Sequence, residues 1–159
     1  MATDRTIDEV DVQILKILQE NARTTQSEIA KQVALAPSAV MERIRKLEAK
    51  NYIREYVASV DPHVANRPLL AFVAVRTNDY GPDQSSARAL AQLDDVLEIH
   101  HVAGEDCFLL KVRARDAEHL GQILRRQIAA VSGVTSTRTT IVLETVKETS
   151  RIPIASHES

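Results

Sequence analysis

Five side chains that could bind a metal ion or provide a nucleophile lie between positions 100 and 107. They are His100, His101, Glu105, Asp106 and Cys107. Adjacent histidines in a strand point to opposite faces, so the two imidazoles do not easily serve one ion. The cysteine lacks an evident orienting group and an oxyanion loop, which a nucleophile would need. We therefore interpret the thiol as inert and buried, and we expect no cofactor, metal site or catalytic residue. A metal-binding or enzymatic module stays open as an alternative.

A second set of residues could bind nucleic acid, and it lies between positions 37 and 54. Val40, Ile44 and Leu47 recur at helical spacing, which predicts an amphipathic helix over 37–50 with one apolar face. Small and basic side chains occupy the rest of this helix and the segment after it. The residues expected to approach DNA are Ser38, Ala39, Glu42, Arg43, Arg45, Lys46 and Arg54. The first three would approach base edges, and the four cations would hold phosphates or bind guanine. The alternative is an ordinary solvated helix face beside a core.

Length and composition narrow the class of protein. A chain of 159 residues has room for one domain or two small ones. The net charge of −2 argues against nucleic-acid binding by bulk charge, so a DNA-binding protein of this composition must present a local basic patch. Aromatic residues make up 3% of the chain, which disfavours a stacking platform for single strands. A single cysteine, with no evident signal peptide or membrane-spanning stretch, leads us to expect a cytoplasmic protein.

The N-terminal third has the pattern of a helix-turn-helix. Apolar spacing predicts a first helix over 8–20, and Thr25 with Glu28 three residues later predicts a capping box that starts a short second helix. Pro37 suits the first turn of the third helix. In such a motif the second helix holds the third against the major groove of DNA. Alternation over 52–60 predicts a strand after the third helix, which would make the winged form of the motif.

These residues resemble a known DNA-binding domain. The resemblance runs through IDEVDVQILKILQENAR, then SEIAKQVALAPSAVMERIRKLEAKNYI, then Tyr56-Val57-Ala58. These segments resemble the DNA-binding domain of the Lrp/AsnC family of transcriptional regulators, also called leucine-responsive or feast/famine proteins. The family commonly has Ser or Thr where this chain has Ala36, and Gly where it has Asn51. The missing side-chain cap should cost about 1 kcal/mol of stability. Neither departure removes a group that contacts DNA.

The C-terminal two thirds alternate between strand and helix patterns. Strands are predicted over 69–75, 96–102, 107–114 and 134 to about 146, with helices over 84–93 and after Asp116. The order βαββαβ predicts a four-stranded antiparallel sheet with two helices on one face, the ferredoxin-like plan. The other face must be buried by another subunit, so we expect a homodimer that presents two recognition helices to a pseudo-palindromic site.

The same family resemblance continues here. HVAGEDCFLLKV is similar to its Gly-x-x-Asp-x-Leu-Leu signature, and TRTTIVLETVKETSRIPI to its last strand and tail. The resemblance implies an ACT-like domain for ligand sensing and oligomerisation, with an amino-acid effector bound between dimers. Carried over by position, the effector-binding residues are Gly104, Glu105, Asp106, Cys107, Thr139 and Thr140. The family often has Asp where this chain has Cys107, and a neutral thiol cannot hold an ammonium. Effector specificity would then be altered or binding lost. The alternative is a plain hairpin turn and ordinary strand residues.

The sequence thus predicts an α+β chain of two domains joined by a linker. A winged helix-turn-helix domain covers 1–62, a linker 63–68, and a ferredoxin-like domain for effector binding and oligomerisation 69–159. We expect a sequence-specific transcriptional regulator rather than an enzyme. Its expected partners are double-stranded DNA, an amino acid or related small metabolite, and further copies of itself in a dimer, with tetramer and octamer left open. No membrane partner is expected. A DNA-architectural protein without an effector is the nearest alternative.

Overall fold

The computed structural model describes residues 7–78, 85–104 and 107–155. The chain divides into two compact units, of which the first takes in residues 1–58 together with 148–159 and the second residues 59–147. Two hydrogen bonds join the side-chain amide of Gln19 to the backbone of Ile152, at 2.9 and 2.7 Å. The C-terminal residues therefore group with the first unit. The domain boundary near residue 62 stays a prediction.

The first unit contains the three helices that the sequence predicts. They are α1 (Glu9–Glu20), α2 (Gln26–Gln32) and α3 (Pro37–Ala49). The capping box at the start of α2 is present, because Thr25 and Glu28 bond each other's backbone N–H groups. At the start of α3, Ala36 has the extended backbone of a cap residue but no side-chain hydrogen bond. Ile14, Ile29 and Val40, one from each helix, are fully buried and fix the packing of the motif.

The strand predicted over 52–60 is wrong for this chain. A turn and bend at 51–53 are followed by an irregular segment. A strand must pair its backbone N–H and C=O groups with a neighbour, and the four strands of the described residues pair only with one another. Sequence alternation showed a side-chain pattern that suits a strand, but it could not show whether a partner strand exists.

The second unit confirms the βαββαβ order. Its elements are β1 (Leu69–Thr77), α4 (Ser85–Leu90), β2 (Val96–His101), β3 (Phe108–Ala114), α5 (Ala117–Gln122) with its π-helical continuation (Ile123–Ile128), and β4 (Val134–Ile141). The strands form one antiparallel sheet in the order β2-β3-β1-β4. The fourth strand was predicted to reach about residue 146 but ends at Ile141. The amide of Val142 still bonds the carbonyl of Leu70, and β1 begins only one residue earlier, so later residues have no strand beside them.

One face of the sheet forms the core of the second unit. Val73 and Val75 of β1, with Leu110 of β3, are fully buried against apolar residues of α4 and α5. Alternate residues of the same strands, such as Phe72 and Lys111, lie on the opposite face. On that face the Lys111 ammonium pairs with the Glu98 carboxylate at 3.1 Å.

Candidate functional site

The outer face of α3, formed by Ser38, Glu42, Arg45 and Lys46, is the feature best placed to contact DNA. All four residues are exposed, whereas Val40 and Leu47 on the inner face are buried. This division follows from the helical period, since residues that differ by about 200° in helical angle point in opposite directions. The helix is therefore anchored on one side and free to enter a groove on the other.

Charges on the outer face interact only weakly with each other. The Lys46 ammonium lies 3.6 Å from a Glu42 carboxylate oxygen, and the two side chains are 68% and 55% exposed. An exposed pair at this spacing contributes little to stability, so its loss would cost little if either group turned to a nucleic acid. Arg45 is exposed on the same face.

Arg43 has a different environment from the other cations of α3. Its Nη1 donates to Asp8 Oδ2 at 2.6 Å and to Asp11 Oδ1 at 2.8 Å, which ties α3 to the start of α1. The hydrogen bonds to Asp11 and Asp8 raise the pKa of Arg43. Burial alone would raise the pKa of Asp8, but the Asp11 amide and the Arg43 guanidinium lower it below its usual value. A structural role thus accounts for this arginine, and its contact with DNA stays a prediction.

The segment after α3 is held against that helix. The Tyr56 hydroxyl donates to Glu48 at 2.9 Å, and burial together with this carboxylate raises the pKa of the tyrosine to about 12. Arg54, on the same segment, is exposed. The Lys50 ammonium lies 5.9 Å from the centre of the Tyr52 ring. Lys50 was not among the predicted contacts, although its position in the basic run after Arg43 was a usable signal.

A groove of about 340 Å³ runs beside the outer face of α3. Its lining includes Ala39, Arg43, Lys46 and Lys50 from or next to the helix, with Asp11 from α1. The half-buried Ala39 thus lies on the flank of the outer face rather than at its centre. Arg43 is already bonded to two aspartates, so Lys46 and Lys50 are the cations of this wall that suit a phosphate chain passing beside the helix; the carboxylate of Glu42 also lines the groove.

The loop between β2 and β3 is where an effector was expected. Gly104 has φ +139°, a conformation that favours glycine, although a Cβ there would meet nothing within 4 Å. The backbone conformation, not a close neighbour, therefore accounts for the glycine. Glu105 and Asp106 lie outside the described residues. Cys107 was predicted to be buried but is half-buried. Its N–H donates to the Val75 carbonyl at 3.0 Å, and its thiol lies 3.8 Å from the Thr77 carbonyl.

The two predicted effector threonines lie apart from this loop. Thr139 faces Val73 and Thr140 faces Phe72 across the β1–β4 pairing, whereas the loop meets β1 at Val75. The separation is two or three residues along β1, about 7–10 Å, and two strand spacings across the sheet, about 10 Å. Among the described residues of one chain, Cys107 therefore lies about 12–14 Å from the two threonines across the sheet.

The two histidines of β2 have separate surroundings. His100 Nε2 lies 3.3 Å from Glu98 Oε2, while the His101 ring packs on Phe108 with centroids 5.2 Å apart. Within residues 7–78, 85–104 and 107–155, no three His, Cys, Asp or Glu side chains converge in a way that could hold a metal ion. Nor is any helix of that described part long and apolar enough to cross a bilayer.

Comparisons with known proteins cover nearly the whole chain. Residues 70–152 match the family model of the Lrp/AsnC ligand binding domain, and residues 7–54 match that of a winged helix-turn-helix DNA-binding domain. The leucine-responsive regulatory proteins of Salmonella typhimurium and Escherichia coli K12 are each 35% identical over 150 residues, which is 93% of this chain and 92% of theirs.

Solved structures agree in fold. A transcriptional regulator of Neisseria meningitidis in complex with L-Met has a TM-score of 0.86 at 30% identity, covering 93% of this chain and 97% of its own. The feast or famine regulatory protein of M. tuberculosis complexed with L-methionine has a TM-score of 0.86 at 31% identity, covering 92% and 99%. AsnC of E. coli has a TM-score of 0.85 at 28% identity, covering 93% and 99%.

Proposed function

The chain belongs to the Lrp/AsnC family of DNA-binding transcriptional regulators, and from that premise we propose that the outer face of α3 enters the major groove of its operator. Ser38 and Glu42 would face base edges, with Ala39 on their flank, while Arg45 and Lys46 would hold phosphates or contact guanine. The observation that carries this proposal is the exposure of the outer face on a helix whose inner face packs into the core, with Val40 and Leu47 buried and Ile44 half-buried. Arg54 would add a phosphate contact from the segment after the helix.

The sheet supports a homodimer. Phe72 and Leu109 lie on the sheet face opposite the helices, and a second copy would bury them. A two-fold dimer carries two copies of α3, so its operator would be a pseudo-palindrome whose half-sites match their spacing. Tetramers or octamers of such dimers remain part of the proposal.

We propose that the effector is an amino acid and that it binds where copies of the chain meet. Two structural relatives were solved with methionine, and the separation of Gly104 and Cys107 from Thr139 and Thr140 within one chain suits a site completed by another copy. Glu105 and Asp106 carry carboxylates that could hold the ammonium of the ligand in place of the missing family aspartate. Bound between dimers, the ligand would shift the assembly by its difference in affinity for the two states. We propose no catalytic role, and we propose the cytoplasm as the site of action.

DNA binding is tested with an Arg45→Ala, Lys46→Ala double variant and the DNA upstream of the protein's own gene. We expect weaker binding and a salt dependence whose slope falls by about two, one for each lost phosphate contact. The matched control is Arg125→Ala with Arg126→Ala, which removes two exposed charges from the second unit. Binding by the α3 double variant at the wild-type protein concentration would refute the proposed recognition helix.

The effector is tested separately, by sedimentation and thermal unfolding with each of the twenty amino acids, starting with L-methionine. We expect at least one to change the mass of the assembly or its thermal midpoint, because a ligand that binds only one state stabilises it. If none does while DNA binding persists, the protein is better described as DNA-architectural.

A further inference from the structure

Glu42 places a negative charge at the centre of a surface that must approach a polyanion. It lies one helical turn after Ser38 and one turn before Lys46, on the outer face of α3. Its side chain is 55% exposed, so the core does not require it. This feature rests on the proposed function, since the charge matters only if α3 enters the groove.

Neighbouring cations do little to offset that charge. The pair with Lys46 is 3.6 Å long and mostly exposed, so solvent screens it. Arg43, the next residue along the helix, is already bonded to Asp8 and Asp11. In a groove flanked by phosphates the carboxylate would therefore weaken binding to every sequence, unless a base donates a hydrogen bond to it.

The chemistry of the base edges limits which base can do so. In the major groove, guanine presents two acceptors and thymine presents one with a methyl group, so both would repel a carboxylate. Adenine offers its N6 amino group beside the N7 acceptor. Cytosine offers its N4 amino group and has no acceptor on its own major-groove edge. We infer that Glu42 is a specificity-determining residue that requires cytosine at one position of each operator half-site.

A carboxylate in this role strengthens binding to DNA with cytosine at the contacted position and weakens binding to random DNA. Removal of the carboxylate in Glu42→Ala should abolish the preference for cytosine at that position, a loss of roughly 5- to 150-fold in discrimination. The same change should strengthen binding to random duplex, roughly two- to fivefold at low salt, because a repulsive charge is gone. Glu42→Gln should move the preference towards adenine, whose N6 and N7 pair with an amide.

The experiment is selection from a randomised duplex library by the full-length wild type, Glu42→Ala and Glu42→Gln, followed by affinity measurements on selected and random duplexes. Glu20→Ala is the matched control, because it removes an exposed glutamate at the end of α1 in the same unit. Circular dichroism verifies that each variant is folded. The inference predicts a cytosine in the wild-type motif that only the two Glu42 variants lose.

Three results would count against it, and they are distinguishable. A wild-type motif that persists unchanged in Glu42→Ala overturns the inference and leaves the proposed function intact. A motif in which the position lost on mutation is an A·T pair overturns the assignment of cytosine. Failure of the wild type to enrich any sequence overturns the proposed function, and this inference with it.

Discussion

Replacement of Arg43 by alanine should destabilise the first unit more than it weakens any direct contact with DNA. The guanidinium joins α3 to α1 through Asp8 at 2.6 Å and Asp11 at 2.8 Å. An alanine leaves both carboxylates without this donor. The half-buried Asp11, whose side chain is 19% exposed, loses the partner that compensates its partial removal from water.

The size of the effect follows from the exposure of the three side chains. A hydrogen bond to a charged group contributes roughly 1.5–3 kcal/mol when it is shielded, and an exposed ion pair roughly 0–1 kcal/mol. Asp8 is 52% exposed, so its bond belongs to the lower range, while the bond to Asp11 lies between the two. We therefore expect a loss of about 2 kcal/mol in the free energy of unfolding.

Urea unfolding of the full-length protein, followed by tyrosine fluorescence, measures this loss, since Tyr52 and Tyr56 report on the first unit. Arg45→Ala is the control: it removes an exposed arginine of the same helix and should change the free energy of unfolding by less than about 0.5 kcal/mol while weakening DNA binding. A free energy of unfolding for Arg43→Ala within that margin of the wild type would refute the structural role of this arginine.

Three further predictions concern the cap of α3, the pH dependence of the bond between Arg43 and Asp8, and the loop between β2 and β3. Ala36→Ser should add the missing cap of α3 and raise the free energy of urea unfolding by about 1 kcal/mol, and an unchanged urea midpoint would contradict this. Because folding lowers the pKa of Asp8, its contribution to stability is complete about one pH unit above its ordinary value of about 3.9 and is lost as the pH falls through the lower, folded value. The stability difference between wild type and Arg43→Ala should therefore shrink as the pH falls below about 5. Gly104→Ala should abolish the calorimetric response to amino acids while DNA binding without ligand persists, since φ +139° strains any side-chain residue.

The helices of the first unit were predictable because their signals are local. Thr25 and Glu28 lie three residues apart and act on each other's backbone, and Pro37 begins the helix that it suits. The predicted strand over 52–60 failed for the opposite reason, since a strand depends on a partner elsewhere in the chain. The π-helical turn Ile123–Ile128 left no signal in the apolar spacing of its helix.

In the candidate site, too, the features set by neighbouring residues were predictable, whereas contacts with distant parts of the chain were not. Helical periodicity was enough to place Ser38, Glu42 and Arg45 together on one exposed face. It could not show that Arg43 bonds acids 32 and 35 residues earlier in the chain, because only the packing of α3 on α1 brings them together. The distance between Thr139 and the loop that joins β2 to β3 likewise depends on β1 lying between β3 and β4.

Lysine acetylation of the full-length protein, read by mass spectrometry with and without its selected duplex, tests most directly whether the outer face of α3 contacts DNA. Lys46 is exposed on that face, and Lys147 is exposed at the end of the second unit. The proposed interface predicts that the duplex protects Lys46 while Lys147 keeps reacting at its original rate. Equal modification of Lys46 in free protein and in saturated complex would contradict it.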